Sequence, residues 1–215
     1  MKSLSDLIFP SRCIGCFQLG ISICSICRKG WHPHIYQREL SVHKEKFPVI
    51  SAIQYSPIAS RVLLSAKESN LLAADELVIA AISHSLQFFL KRFGPGDLIA
   101  IPSRKSATRK RGRNFLGDIT DSVAANTKLN SIDLLRHVRS VRDQSELNLQ
   151  ERNRNIAGAL SSKPNFGGNG NNAPLIIVDD LITTGATLAE AIRALRAAGF
   201  AVKGAVTGAT AKPLR

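Results

Sequence analysis

From residue 48 onward the apolar positions follow two periods in turn. Short unbroken runs of aliphatic and β-branched residues alternate with longer stretches in which apolar side chains recur every three or four positions. The first pattern suits buried strands and the second amphipathic helices. Strands are expected over residues 49–55, 98–101, 132–138, 175–178 and 201–207, and helices over 58–66, 71–93, 118–125 and 186–198, with a charged, partly helical segment over 147–159. The punctuation agrees: Gly94-Pro95-Gly96 stops the second helix, Pro102 ends the second strand, and Gly199 closes a helix whose Leu188, Ile192 and Leu195 share a face. Strands alternating with helices imply an α/β fold, here a doubly wound, mainly parallel sheet flanked by helices. Residues 175–178 form the clearest buried strand, and the Gly- and Asn-rich residues 165–172 read as a surface loop.

The chain before residue 48 lacks this alternation. Residues 1–30 hold all the cysteines, and residues 31–47 are polar, broken by Pro33, and read as a connector. The expected organisation is a small module over 1–30, a connector over 31–47 and an α/β domain over 48–215. The longest apolar-rich stretch, 71–93, is interrupted by Asp75, Glu76, His84 and Gln87 and reads as a packed helix, so no membrane span is expected. The first residues show no long apolar segment or small-residue cleavage site, which points to the cytoplasm.

The four cysteines form two turns, Cys13-x-x-Cys16 and Cys24-x-x-Cys27. Each turn sets two thiolates on one side of a metal, and two turns complete a tetrahedral sulfur set that suits structural Zn²⁺. The competing reading is a redox pair or packed free thiols, which this spacing and a reducing compartment disfavour. His32 and His34 are not needed for such a site, and His43, His84 and His137 are isolated and read as surface or core residues.

The strongest chemical signal lies at residues 175–187. Four apolar residues lead into Asp179 and Asp180, and a small-residue loop with Thr183, Thr184, Gly185, Ala186 and Thr187 opens the next helix. Ligands of open α/β sheets bind at the carboxyl ends of the strands. The threonine hydroxyls, a glycine that admits close backbone approach and the free N–H groups of a helix start make an anion site suited to a phosphate. Two carboxylates would repel that phosphate, so their partners are sugar hydroxyls or a Mg²⁺ ion shared with the ligand. Phosphate and hydroxyl sites a few ångströms apart describe a ribose 5-phosphate.

Charge adds a second feature. Lys and Arg number 29 against 16 Asp and Glu, a formal net charge of +13, which attracts polyanions or phosphorylated small molecules. Residues 103–114 carry Arg104, Lys105, Arg109, Lys110, Arg111 and Arg113 without an acid, following the strand that ends at Pro102. Such a run is a solvated basic loop, a contact for nucleic-acid phosphates, or a cover for an anionic ligand. Arg136, Arg139, Arg142, Arg152 and Arg154 are interspersed with Asp143, Glu146 and Glu151, a mixture that favours internal ion pairs.

Residues 175–187 resemble the phosphoribosyl pyrophosphate signature of type I phosphoribosyltransferases. The Leu7-Ile8-Phe9-Pro10 opening, the paired Cys turns, and Gln144, Leu147, Glu151, Arg152, Asn155 and Gly158 at their intervals extend the resemblance to the ComF family over nearly the whole chain. Gly112-Arg113-Asn114-Phe115 stands where that family often has Gly-Phe-Asn-Gln, and Leu160 where an aromatic is common. The resemblance implies that Asp179 and Asp180 meet the ribose 2′ and 3′ hydroxyls, that residues 183–187 hold the 5-phosphate, and that Arg109, Lys110 and Arg111 cover the leaving pyrophosphate. It equally implies a non-catalytic role in DNA uptake, with single-stranded DNA and competence-machinery proteins as partners.

Overall fold

A computed structural model describes residues 11–69, 71–141, 149–163 and 173–211. The Leu7–Pro10 opening, the loop over 165–172, and Gln144 and Leu147 lie outside these residues.

The chain enters through the cysteine turns, the short helix α1 (Ser25–Gly30) and a β-hairpin, β1 (Tyr36–Val42) and β2 (Glu45–Gln54). There follow α2 (Pro57–Ser69), α3 (Leu72–Phe93), β3 (Asp97–Ala100), α4 (Lys105–Arg111) and α5 (Phe115–Thr127). A two-stranded antiparallel ribbon, β4 (Leu135–His137) and β5 (Leu160–Ser162), brackets α6 (Leu149–Ile156). The chain then runs through β6 (Leu175–Ile182), α7 (Ala186–Ala197) and β7 (Val202–Thr210). Among the described residues the main sheet has the order β1-β2-β7-β6-β3, parallel throughout except for the β1–β2 hairpin. The expected α/β architecture with a mainly parallel sheet is thus the one observed.

Residues 36–42, expected within a connector, form instead an edge strand of this sheet. The turn His43-Lys44 takes positive φ at both positions (48° and 70°). A two-residue hairpin needs that geometry, which Asn-Gly ordinarily advertises. Alternate β1 residues are half-buried and exposed, so the strand carries little apolar signal. Two further differences bear on the site. The basic stretch expected as a loop contains α4, and the acid pair lies inside the strand β6, which continues to Ile182.

Both sheet faces are covered. Every residue of β6 but Leu181 is buried, as are Val49–Ile53 of β2 and Gly204–Thr210 of β7. The helix α3 buries Ala74, Val78, Ala81, Ile82, Leu86 and Phe89 at helical spacing against β2 and β7, with α5 beside it. Close approach is possible because β7 offers Gly204, where a side chain would strike the Pro48 carbonyl at 2.4 Å and Phe89 at 3.0 Å. Full burial of Val78, Ile82, Leu86 and Phe89 stabilises the fold by about 1.5–3 kcal/mol each. By length and hydropathy (1.2) Leu72–Phe93 would pass for a membrane span, yet here one of its faces is the lid of the sheet. The helix α7 packs against β1, β6 and β7.

Parallel strands align their carboxyl ends. Tyr55 after β2, Asp179–Ile182 of β6, Thr210 of β7 and Ile101–Arg104 after β3 therefore meet at one edge of the sheet.

Candidate functional site

At that edge lies a cavity of about 680 Å³. Its lining brings together Asp179, Asp180, Thr183 and Thr187 with Lys67, Glu68, Arg104, Arg111 and His137. Ladder bonding of β6 to β3 and β7 fixes the acids: Val178 pairs with Ala100 and Val206, Asp179 with Thr207. Both are buried, at 9% and 7% exposure. Asp179 Oδ1 accepts from the Asp180 N–H at 2.9 Å. Burial, then the charge of Asp180, pushes the Asp179 carboxyl well above the usual carboxylate range.

Asp180 has a different neighbour. Lys67, in the last turn of α2, places Nζ 2.6 Å from Asp180 Oδ2. Burial pulls the lysine's affinity for its proton down, but the charge and hydrogen bond of Asp180, helped by the charge of Asp179, outweigh it and leave Lys67 raised. The Lys67 ammonium thus offsets part of the repulsion within the acid pair. Lys67 was not found by sequence reasoning. A single lysine in a helix carries no motif, and only the topology, which ends α2 at this edge, brings it to the acids.

The loop after β6 is anchored from the hairpin: Arg38 Nη1 donates to the Thr183 carbonyl (3.3 Å), Thr210 Oγ1 (3.1 Å) and the Ala211 carbonyl (3.1 Å). Thr183 and Thr187 face the large cavity, whereas Thr184, Gly185 and Ala186 line a second one of about 450 Å³ with Leu40, His43 and Arg193. Gly185 caps α7 in the left-handed region (φ 86°), and a Cβ there would sit 2.8 Å from Leu40 Cδ1. Its side-chain position therefore faces Leu40, so the glycine serves the turn and the packing of the hairpin.

The basic residues divide. Arg104 and Arg111 line the cavity, while Arg109 and Lys110 are exposed on α4 and are not in its lining. Arg111 forks onto Glu68 Oε1 through Nε (3.0 Å) and Nη2 (2.7 Å), and those hydrogen bonds hold Glu68 below the usual carboxylate range. His137, read from sequence as incidental, also lines the cavity. Its Nε2 lies 3.0 Å from the Pro102 carbonyl, and burial lowers its proton affinity.

The cysteine sulfurs gather at the other end of the chain. The Sγ atoms of Cys13, Cys16, Cys24 and Cys27 all lie within 4.8 Å of one another, and those of Cys16 and Cys24 are 3.7 Å apart. A tetrahedron with Zn–S bonds of about 2.3 Å has edges of about 3.8 Å, so the set fits that ion. Burial would raise Cys13, but N–H donors from Cys24, Cys16 and Gly15 bring it to about 6. Burial and the neighbouring sulfurs push Cys27 up to about 12. The module is docked on α2: Arg61 donates to the Gly15 carbonyl and lies 5.4 Å over the Phe17 ring, while Trp31 is buried.

No family model and no curated protein matches the sequence. Among solved structures the chain is similar to an adenine phosphoribosyltransferase from Thermoanaerobacter pseudethanolicus, at 19% identity over 80% of this chain and 81% of that one, with a TM-score of 0.38.

Proposed function

We propose that the large cavity binds phosphoribosyl pyrophosphate or a closely related sugar phosphate, and that the chain is a phosphoribosyltransferase-type protein of the ComF family working in the cytoplasm. One observation carries the reading: a single cavity joins a buried acid pair, the hydroxyls of Thr183 and Thr187 at a helix start, and the cations Lys67, Arg104 and Arg111. A carboxylate pair accepts from vicinal hydroxyls, a helix start with threonines receives a monophosphate, and cations meet a diphosphate. A cavity of about 680 Å³ is of the size that holds a small ligand of this kind.

The chain's residues then have separate tasks. Asp180 accepts from a ribose hydroxyl once Lys67 leaves it, and Asp179 donates or accepts according to its proton. Arg111 and Lys67, released from Glu68 and Asp180, turn toward the diphosphate, where positive charge stabilises a leaving anion as its bond to the sugar lengthens. Leu64, Ile101, Phe115 and Ile156 supply the apolar part of the lining. Asp179 and Asp180 offer the hard oxygen ligands that Mg²⁺ takes, and that ion would add charge neutralisation to the diphosphate. Cys13, Cys16, Cys24 and Cys27 would hold Zn²⁺ in a closed, structural set.

A second reading is favoured by the exposed Lys105, Arg109 and Lys110 on α4 together with the net charge of +13: contact with single-stranded DNA. Calorimetry separates the two. Titration with phosphoribosyl pyrophosphate plus Mg²⁺ should give saturable binding that Thr187→Ala weakens. Binding of oligothymidylate alone, with none of the sugar phosphate, would instead favour DNA handling.

A further inference from the structure

Two arginines outside the acid pair converge on one short stretch of α2. Arg111 ends α4 and forks onto Glu68. Gly112, in the left-handed region (φ 72°), turns the chain, and Arg113 forks onto Asp75 with Nη1 to Oδ2 at 2.6 Å and Nη2 to Oδ1 at 2.8 Å. The same Nη2 also donates to the Ala66 carbonyl at 2.8 Å. Ala66 and Glu68 are the two chain neighbours of Lys67, whose ammonium stands on Asp180. The lysine is therefore gripped on both sides by residues that belong to the basic segment.

The grip of Arg113 differs in kind from a surface ion pair. Asp75 is 7% exposed in the first turn of α3, and the guanidinium lies 5.2 Å over the ring of Phe115, itself 1% exposed. A planar fork can meet a carboxylate and a carbonyl at once, which an ammonium cannot reproduce. Exposed ion pairs are weak because water competes for both partners, and here water has little access.

We propose that Arg113 is a positioning residue: through Asp75 and the Ala66 carbonyl it fixes the end of α2 so that Lys67 stands over Asp180, and with Arg111 on Glu68 it joins the basic helix and that lysine into one body. The purpose of this coupling rests on the function proposed above. The cations that would meet a diphosphate are then held in one arrangement, and a ligand that draws Arg111 away from Glu68 loosens Lys67 from Asp180 at the same time. The charged groups facing Lys67 are Asp179 and Asp180 from β6, Glu68 from its own helix and Arg111 from α4.

The test is the reactivity of Lys67 toward acetic anhydride, read by mass spectrometry on the intact protein, with the exposed Lys44 and Lys46 as internal standards. In the wild type Lys67 should be protected. In Arg113→Met its rate should rise about tenfold, the effect of losing hydrogen bonds to a charged group, while Lys44 and Lys46 stay unchanged. Asp75→Asn should do the same more weakly, and Arg113→Lys should recover part of the protection. A Lys67 as protected in Arg113→Met and Asp75→Asn as in the wild type overturns the proposal. So does a uniform rise across all lysines, which would mark a general loss of stability. Phosphoribosyl pyrophosphate binding, measured on the same samples, tells a failure of the functional reading apart: in that case the ligand is refused while the Lys67 pattern holds.

Discussion

The cysteine module and the acid-pair cavity are built on opposite plans. In the module, four sulfurs from two turns converge within 4.8 Å, backbone N–H groups of Cys24 and Cys27 point at Cys13 and Cys24 sulfurs, and three of the four cysteines are buried. In the cavity, groups from α2, α4, β6 and α7 line an open volume, and Lys67 with Asp180 and Arg111 with Glu68 neutralise each other. A closed set is complete with one ion and has no reason to change. An open set of mutually satisfied opposite charges is stable alone, yet each pair can exchange its partner for one on a ligand. Disturbing the first should therefore be felt in folding, and disturbing the second in binding.

The largest expected effect is on the closed site. Structural zinc in such sets contributes roughly 10–16 kcal/mol of apparent binding free energy, which is folding free energy for the segment that holds it. Elemental analysis of protein purified without chelator should find one zinc per chain, and Cys24→Ser should lose it. It should also make the segment around Trp31 and Arg61 accessible to protease, since that packing rests on the module. A native protein that is folded there and free of metal would erase the contrast between the two regions.

In the open site Asp180→Asn should leave the melting temperature within a few degrees of the wild type and weaken phosphoribosyl pyrophosphate. Losing a charge-assisted hydrogen bond costs about 1.5–3 kcal/mol, a weakening of about tenfold to a hundredfold. Equal binding by variant and wild type in calorimetry would mean that the acids do not touch the ligand.

Gly185 sits between the two plans, because it belongs to the loop proposed to hold a phosphate but packs against the hairpin. Gly185→Ala should cost about 1–2 kcal/mol of stability from the left-handed backbone alone, with a further penalty unless Leu40 shifts. Denaturant melts of Gly185→Ala and of Gly185→Ala with Leu40→Ala measure the two contributions separately. A loss of ligand binding with no loss of stability would return the glycine to phosphate contact.

These residues also show what a sequence discloses. The gathering of the four cysteines and the strand, loop and helix start at residues 175–187 were legible because each is local in the chain. The main sheet was legible where strands are buried on both faces, as in residues 175–178, since burial enforces an apolar run. Its first strand was not, because an edge strand alternates weakly and its turn uses His43 and Lys44 in a conformation ordinarily given to glycine and asparagine. The partners of the acid pair were hidden for another reason. Lys67 lies 113 residues before Asp180 in the chain, and Arg113, just ahead of α5, meets Asp75 because α5 packs beside α3, so neither leaves a spacing to read. Basic composition likewise did not separate Arg111, which enters the cavity, from Arg109 and Lys110, which stay outside it.

The finest test of the comparison is the pH dependence of a single carboxyl. Asp179 is buried beside Asp180 and its folded affinity for a proton lies well above that of an unfolded aspartate. A raised acid favours the folded state fully below the ordinary carboxylate range, and that contribution is lost as pH rises through its raised value. At neutral pH, then, Asp179 burdens the fold, and Asp179→Asn, which keeps the shape without the charge, should raise the melting temperature. The gain should shrink as pH falls and vanish near pH 4, about the ordinary aspartate range, where the wild type holds its proton in both states. A closed structural site would show the reverse, since removing a member there always destabilises. If Asp179→Asn lowers the melting temperature at neutral pH, Asp179 is a structural member of the strand; if it raises it while ligand binding falls, the carboxyl is kept for the ligand at the expense of stability.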